Sequence, residues 1–231
     1  MLQAIKKHIQ QYFVDDRFTY HSIDHTLRVL RDVELIAAEE DVEQKDLEYL
    51  RIAALFHDTG YTSNPTFHEE IGADLATEYL RSLDYPEAGV DTIRKLILVT
   101  KLDIEPTNTI EGIISDADLA HVGVKEFNEI SELLRLEIEN IEHREFTTEK
   151  WEESNLEFLS SQNWYTKGAK KLFNKGKKEN VKKLKSKLKD ESKKKEKEIP
   201  EKGIETMYRV ALRNHNQLSK IADNKANIML S

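Results

Sequence analysis

The chain has 231 residues, 39% of them apolar and 34% charged, which leaves room for one well-buried domain and an appendage but not for two full-sized domains. It contains no cysteine, which excludes disulfides and thiolate metal sites and leaves histidine, carboxylate and water to hold any metal. The net charge of −8 conceals a division: residues 1–166 carry 15 basic against 35 acidic side chains (−20), residues 167–202 carry 16 lysines against 6 acids (+10), and the remainder is +2. A domain at −20 repels a long phosphate backbone, so a nucleic-acid partner is not expected, whereas a small metal-chelated substrate suits it.

Eight glycines and four prolines are few for this length, and helix-favouring stretches separate them, so the expected fold class is all-α. Apolar residues at three- and four-residue spacing predict helices over 2–14, 22–39, 44–57, 66–82, 87–100, 109–121, 124–140 and 148–162. The second of these shows the pattern in Val29, Leu30, Val33, Ile36 and Ala37. Start signals precede several helices: Asn64 before Pro65, Pro86 before Glu87, and Thr147 and Thr148 before Glu149. Residues 50–56 are apolar nearly all round, which predicts a helix through the core. That helix ends in His57 and Asp58, a costly pair in a buried place unless something compensates it, and metal coordination does.

Composition changes after Tyr165. Residues 170–202 are dominated by lysine, with Val181, Leu184 and Leu188 as a thin apolar stripe, and read as a solvated helix or a flexible linker. Pro200 to Gly203 break the chain, and residues 204–230 predict a further helix that runs to the last residues with no stop signal, as expected of a longer native protein. The expected organisation is therefore a domain at 1–166, a lysine-rich linker or helix at 167–202 and a terminal helix at 203–231. No signal peptide and no membrane-length apolar run is evident, so the chain as given is expected to be soluble and cytoplasmic.

His21 and His25 lie four residues apart and stack on one helix face. His57 and Asp58 follow, and Asp116 and Asp118 sit further on, before Leu119. Each piece alone is commonplace: a histidine pair at this spacing is more often a surface feature or a satisfied core pair. The ordered set, with every member on or ending a helix of one all-α domain, is far more specific. Tyr20-His21 with His25, the run Ala54–Tyr61 containing His57 and Asp58, and the run Ile113–Gly123 containing Asp118 resemble the motifs of the HD superfamily of metal-dependent phosphohydrolases. The resemblance spans about residues 15–165 and implies an HD-domain helical bundle, to which the lysine-rich residues are a C-terminal helical extension.

By that resemblance His25, His57, Asp58 and Asp118 are the metal ligands. Asp118 is preferred to Asp116 because the family ligand directly precedes the leucine of an Ala-Asp-Leu pattern, leaving Asp116 to support or cap a helix. Two imidazoles and two carboxylates suit Mn²⁺, Mg²⁺, Fe, Co²⁺, Ni²⁺ or Zn²⁺ and do not choose among them. His21 stands where related phosphodiesterases protonate the leaving oxygen, with a structural role as its plain alternative. His68 stands where several branches contact a second metal or the substrate phosphate; otherwise it is a first-turn surface histidine. Lys101, at a helix end, can bind phosphate as a point charge or simply favour the helix dipole. His8, His143 and His215 fall outside the motifs.

The departures narrow the substrate. No downstream Gly-Tyr-Pro supports the cyclic-di-nucleotide branch, Thr59-Gly60-Tyr61 replaces the Glu-Asp pair of alarmone hydrolases, and the domain is too small for the mammalian cyclic-nucleotide phosphodiesterase fold. Small bacterial HD hydrolases are the nearest likeness. Residues 203–230 resemble the segment leading into the membrane helices of Pycsar-type transmembrane effectors of antiphage defence. That likeness implies an inner-membrane anchor in the full-length protein, residues 167–202 beside anionic lipid, and a cyclic or other signalling nucleotide as substrate. The alternative is a helix that packs on the domain or pairs in a homodimer. Three readings follow: a metal-dependent phosphohydrolase acting on a nucleotide with His21, Asp58 and Lys101 in the reaction; a nucleotide-binding sensor that signals through 167–231; and a metal-stabilised scaffold.

Overall fold

The apolar run at 50–56 becomes the buried axis of the fold. In the computed structural model, which describes residues 1–198, it lies in α3 (Gln44–Phe56), and every residue from Ile52 to Phe56 is fully buried. Around α3 pack α1 (Leu2–Ile9), α2 (Ile23–Glu39), α4 (His68–Ser82), α5 (Glu87–Leu98) and α6 (Thr109–Asp118). Each isoleucine or leucine withdrawn from water contributes about 1.5–3 kcal/mol, so a helix that is apolar on all sides is most stable where other helices surround it. The chain continues through α7 (Phe127–Glu142), α8 (Thr148–Ser161) and α9 (Lys167–Glu198), and the described residues contain no strand.

Several helix limits differ from the periodicity reading for local reasons. The first helix stops at Ile9 and tightens into a 3-10 turn over Gln10–Tyr12. The Asn64 side chain accepts from the Thr66 and Phe67 amides, so it closes a turn in front of α4, which starts only at His68. The Asp118 helix ends at Asp118 itself and passes into a 3-10 segment, Leu119–Gly123. Thr147 does cap α8, accepting from the Lys150 amide at 3.3 Å. The lysine-rich residues to Glu198 are helical, and the predicted helix at 204–230 lies outside the described residues.

Two close approaches set the helices that bear on the site. A Cβ at Gly72 would stand 2.6 Å from the Phe56 carbonyl, so only glycine lets α4 cross the end of α3 this tightly. A Cβ at Gly176 would meet the Gly123 carbonyl at 1.9 Å, which is how the first half of α9 lies against the 3-10 segment after Asp118. Asn180 fastens that contact by donating to the Val122 and Val124 carbonyls at 3.0 and 2.9 Å. One large apolar cluster fills the α1–α6 bundle and extends to Ala169 and Phe173 of α9; a smaller one joins Val122, Phe127, Leu159 and Leu184. Among the described residues, Met1–Leu184 form one compact unit, which the rest of α9 leaves.

A candidate metal centre

Four donor atoms converge where three helices meet. α2 supplies His25 from its first turn, the end of α3 supplies His57 and Asp58, and the last residue of α6 supplies Asp118. Asp58 Oδ2 lies 3.2 Å from His25 Nε2 and 3.1 Å from His57 Nε2. Asp118 Oδ1 lies 3.1 and 3.4 Å from the same two nitrogens, which are 3.4 Å apart. Donors about 2.1 Å from one ion stand about 3.0–3.4 Å from each other in octahedral or tetrahedral arrangement, and the separations among His25, His57 and Asp58 fall in that range, while Asp118 stands against the two histidines but not within the same three-donor group. His25, His57 and Asp58 are buried and form a group able to hold a metal ion.

Local contacts aim these donors. His57 Nδ1 donates to the Ala54 carbonyl at 2.9 Å, which fixes the tautomer and turns the Nε2 lone pair inward. Asp58 Oδ2 is buried without a well-formed hydrogen bond, an orphaned acceptor of the kind a cation satisfies. Burial alone would lower the two imidazoles, but the Asp58 and Asp118 carboxylates outweigh it and raise His25, and His57 strongly. Burial alone would raise the carboxylates, but the histidines hold both Asp58 and Asp118 well below the usual range. All four groups therefore favour positive charge at their centre, and bound metal would meet that preference with the imidazoles neutral.

Asp116, two residues before Asp118, faces the opposite way. Its carboxylate accepts from the Tyr165 amide at 3.0 Å and from the Thr166 amide and hydroxyl at 2.8 and 2.7 Å, holding the residues that open α9. Burial pushes its carboxyl above the usual value.

The other sequence candidates divide. His21 lies beside the cluster, its ring stacked on Tyr61 at 3.5 Å between centroids and its Nδ1 bonded to Glu137. Glu137, wholly buried in α7, also accepts from the Tyr20 and His21 amides, both at 2.9 Å. Motif reading missed this glutamate, yet it falls in helical register with Phe127, Ile130 and Leu134, and a charge on an apolar stripe signals a buried partner. His68 Nδ1 contacts the Pro65 carbonyl at 2.7 Å, while its Nε2 stands 3.6 Å from Asp58 Oδ1, the oxygen turned away from the other histidines. Lys101 is bound to Glu70 and does not line the cavity in front of the cluster. His121, on the 3-10 segment, accepts from or donates to the Tyr20 hydroxyl at 3.2 Å, and burial and the nearby His25 push it down to about 4.

The cluster forms the floor of a cavity of about 420 Å³. His21, Asp58, His68 and Asp118 line it together with Phe127 and Trp151. Asp118 keeps 20% of its side chain exposed, facing this space.

Residues 22–123 match the family model of the HD domain. Among solved structures, one described as a predicted HD superfamily hydrolase from an uncultured Thermotogales bacterium is 23% identical, covers 68% of this chain and 86% of its own, and superposes with a TM-score of 0.48. Comparison with curated proteins finds no match. The matched segment begins just before the first donor, His25, and ends just past the last, Asp118, and on that match residues 22–123 of this all-α chain are an HD domain.

Proposed function

We propose that the chain is a metal-dependent phosphohydrolase that cleaves a nucleotide phosphoester, with His25, His57, Asp58 and Asp118 as ligands of a divalent ion. The observation that carries this is the buried group of His25, His57 and Asp58 donors, able to hold an ion, with Asp118 beside both histidines and with Asp58 and Asp118 lining an open cavity. A bound divalent ion supplies Lewis acidity, which acidifies water and offsets phosphoryl charge. His21 supplies the proton. With Nδ1 held by Glu137 and the ring pinned against Tyr61, Nε2 is the free nitrogen, and it serves the leaving oxygen. His68, with Nδ1 turned to Pro65, presents Nε2 beside the outer oxygen of Asp58, which suits a second ion shared with that carboxylate better than donation to phosphate. Any part for Lys101 in phosphate binding requires its pair with Glu70 to open.

The test is bound-metal analysis together with turnover of linear and cyclic nucleotides in Mn²⁺, Mg²⁺, Co²⁺ or Ni²⁺, for the wild type and Asp58→Ala. Metal-dependent turnover that falls at least a hundredfold in the variant is the expected result. Absence of any bound metal sinks the ligand set.

A sensor reading has two observations in its favour: the Asp116 clamp ties the metal-bearing helix to the residues that open α9, and Asn180 of α9 holds the segment that follows that helix. In that reading nucleotide binding at the metal is passed along α9, whose lysines suit an anionic membrane surface on the cytoplasmic side. Among the described residues no helix is long and apolar enough to cross a membrane. Tight nucleotide binding without turnover would select the sensor.

A further inference from the structure

The cavity narrows the substrate by what its wall lacks and by what it holds. Among the described residues, none of the side chains lining it is a lysine or an arginine, whereas Asp58, Glu69 and Asp118 all line it. Of the basic groups outside the lining, Lys101 is engaged with Glu70 and Arg135 with Glu139 and the Phe146 carbonyl, while Arg28 borders a separate pocket on the other side of His25 and Asp118. Sites that take polyphosphates answer the added charge with lysines and arginines. Here the divalent charge, including a second ion beside His68, is set against Asp58, Glu69 and Asp118, and what remains matches a single phosphoryl group. The further phosphates of a di- or triphosphate would face carboxylates with no lysine or arginine in the lining to neutralise them, and unpaired charge of this kind is a strong means of rejection.

The far wall comes from α7 and α8, outside the segment that matches the HD domain. Phe127, Trp151 and Phe158 give it an aromatic surface. Ser131 Oγ accepts from Trp151 Nε1 at 2.9 Å and from Asn155 Nδ2 at 2.8 Å, so one hydroxyl orients both the indole and the amide. Asn155 makes no other side-chain hydrogen bond among the described residues, and its amide offers both a donor and an acceptor at the edge of this surface. A flat heteroaromatic group with hydrogen-bonding edges complements such a wall, and about 420 Å³ lies in the lower part of the ~300–1,000 Å³ range of small-molecule pockets.

We infer that the site takes a nucleotide bearing one phosphoryl group, a nucleoside monophosphate or its 3′,5′-cyclic form, with the base against Trp151 and Phe158 and its edge read by Asn155, and that it rejects nucleoside di- and triphosphates. The inference rests on the nucleotide reading of the same site. The hydrolysis it implies is balanced by water alone: a new P–O bond forms from water, the ester P–O bond breaks, and the leaving oxygen takes a proton.

The experiment uses the full chain with Mn²⁺ and measures binding by calorimetry and turnover by chromatography in parallel. The probes are AMP, GMP, cyclic AMP and cyclic GMP against ATP, GTP and ribose 5-phosphate. At least one single-phosphoryl nucleotide is expected to bind tenfold or more tightly than the triphosphate of the same base and than ribose 5-phosphate. In Asn155→Ala, at a half-buried position, the margin over ribose 5-phosphate should shrink at least fivefold, and Trp151→Phe provides a second variant that keeps the packing. Triphosphates binding equally well, ribose 5-phosphate binding equally well, or no nucleotide binding at all would each overturn the inference. Tight binding of a monophosphate with no turnover leaves it standing and defeats the hydrolase reading; preferred turnover of triphosphates does the reverse.

Discussion

The α1–α6 bundle and the α7–α8 wall face each other across one cavity but are held together by different means. The bundle is a continuous apolar cluster around α3, with the metal-type donors at helix ends where the packing stops. The α7–α8 wall has only a small apolar cluster and is fixed by polar contacts: Ser131 with Trp151 and Asn155, Glu137 with His21, and Glu139 with the Phe146 amide. Dense apolar packing tolerates little change of shape, which suits a cluster of donors that must meet within tenths of an ångström. Directional polar contacts are replaced more readily one at a time, which suits a surface that selects among substrates. On the proposed function, the difference would separate the part that holds the metal from the part that selects the substrate.

The strongest way to break that division is at Gly72. Gly72→Val places side-chain atoms against the Phe56 carbonyl and should separate α4 from α3. We expect a loss of several kcal/mol in denaturant unfolding, as for severe overpacking, together with loss of bound metal and of all turnover. Retention of metal in a destabilised Gly72→Val protein would show that the donors do not depend on the bundle.

Glu137→Gln probes the wall instead. The fold and the metal content should persist, while kcat falls about ten- to a hundredfold because the His21 ring loses its anionic partner. An unchanged kcat in the variant would reduce Glu137 to a structural support.

A smaller effect sharpens the boundary between the two parts, where His121 lies. Its folded value of about 4 is below the ordinary 6.5, so the unfolded chain binds the extra proton between those limits. Stability from this group is therefore present above pH 6.5 and is lost as pH falls toward 4. Between pH 7 and pH 5 the loss amounts to about 2 kcal/mol, readable as a shift in the urea midpoint that His121→Asn should abolish.

Much of the bundle could be read from the chain because its signals are local. The apolar run at 50–56 and the aspartate before Leu119 each announce a helix and its buried end, whereas the histidines four residues apart do not share a helix face, because α2 begins at Ile23 and His21 lies before its N-cap Ser22. Boundaries were harder wherever a side chain chose a turn over a helix cap, as Asn64 does. The wall was largely illegible, because Trp151, Asn155 and Ser131 acquire meaning only when α7 and α8 fold back over the donors. Glu137 and His21 are more than a hundred residues apart, and only the misplaced charge on the α7 stripe hinted at the contact.

Asp116 has a practical consequence for anyone who would excise this domain. A fragment limited to residues 22–123, or one ending near Ser161, strips a buried carboxylate of all three donors that satisfy it, two residues from Asp118. A cut at 166 keeps those donors but removes Gly176 and Asn180, which cover the segment carrying His121. A piece that carries every one of these contacts and ends with the compact unit runs to about Leu184, so the first turns of the lysine-rich helix are as much a part of the domain's body as the histidines.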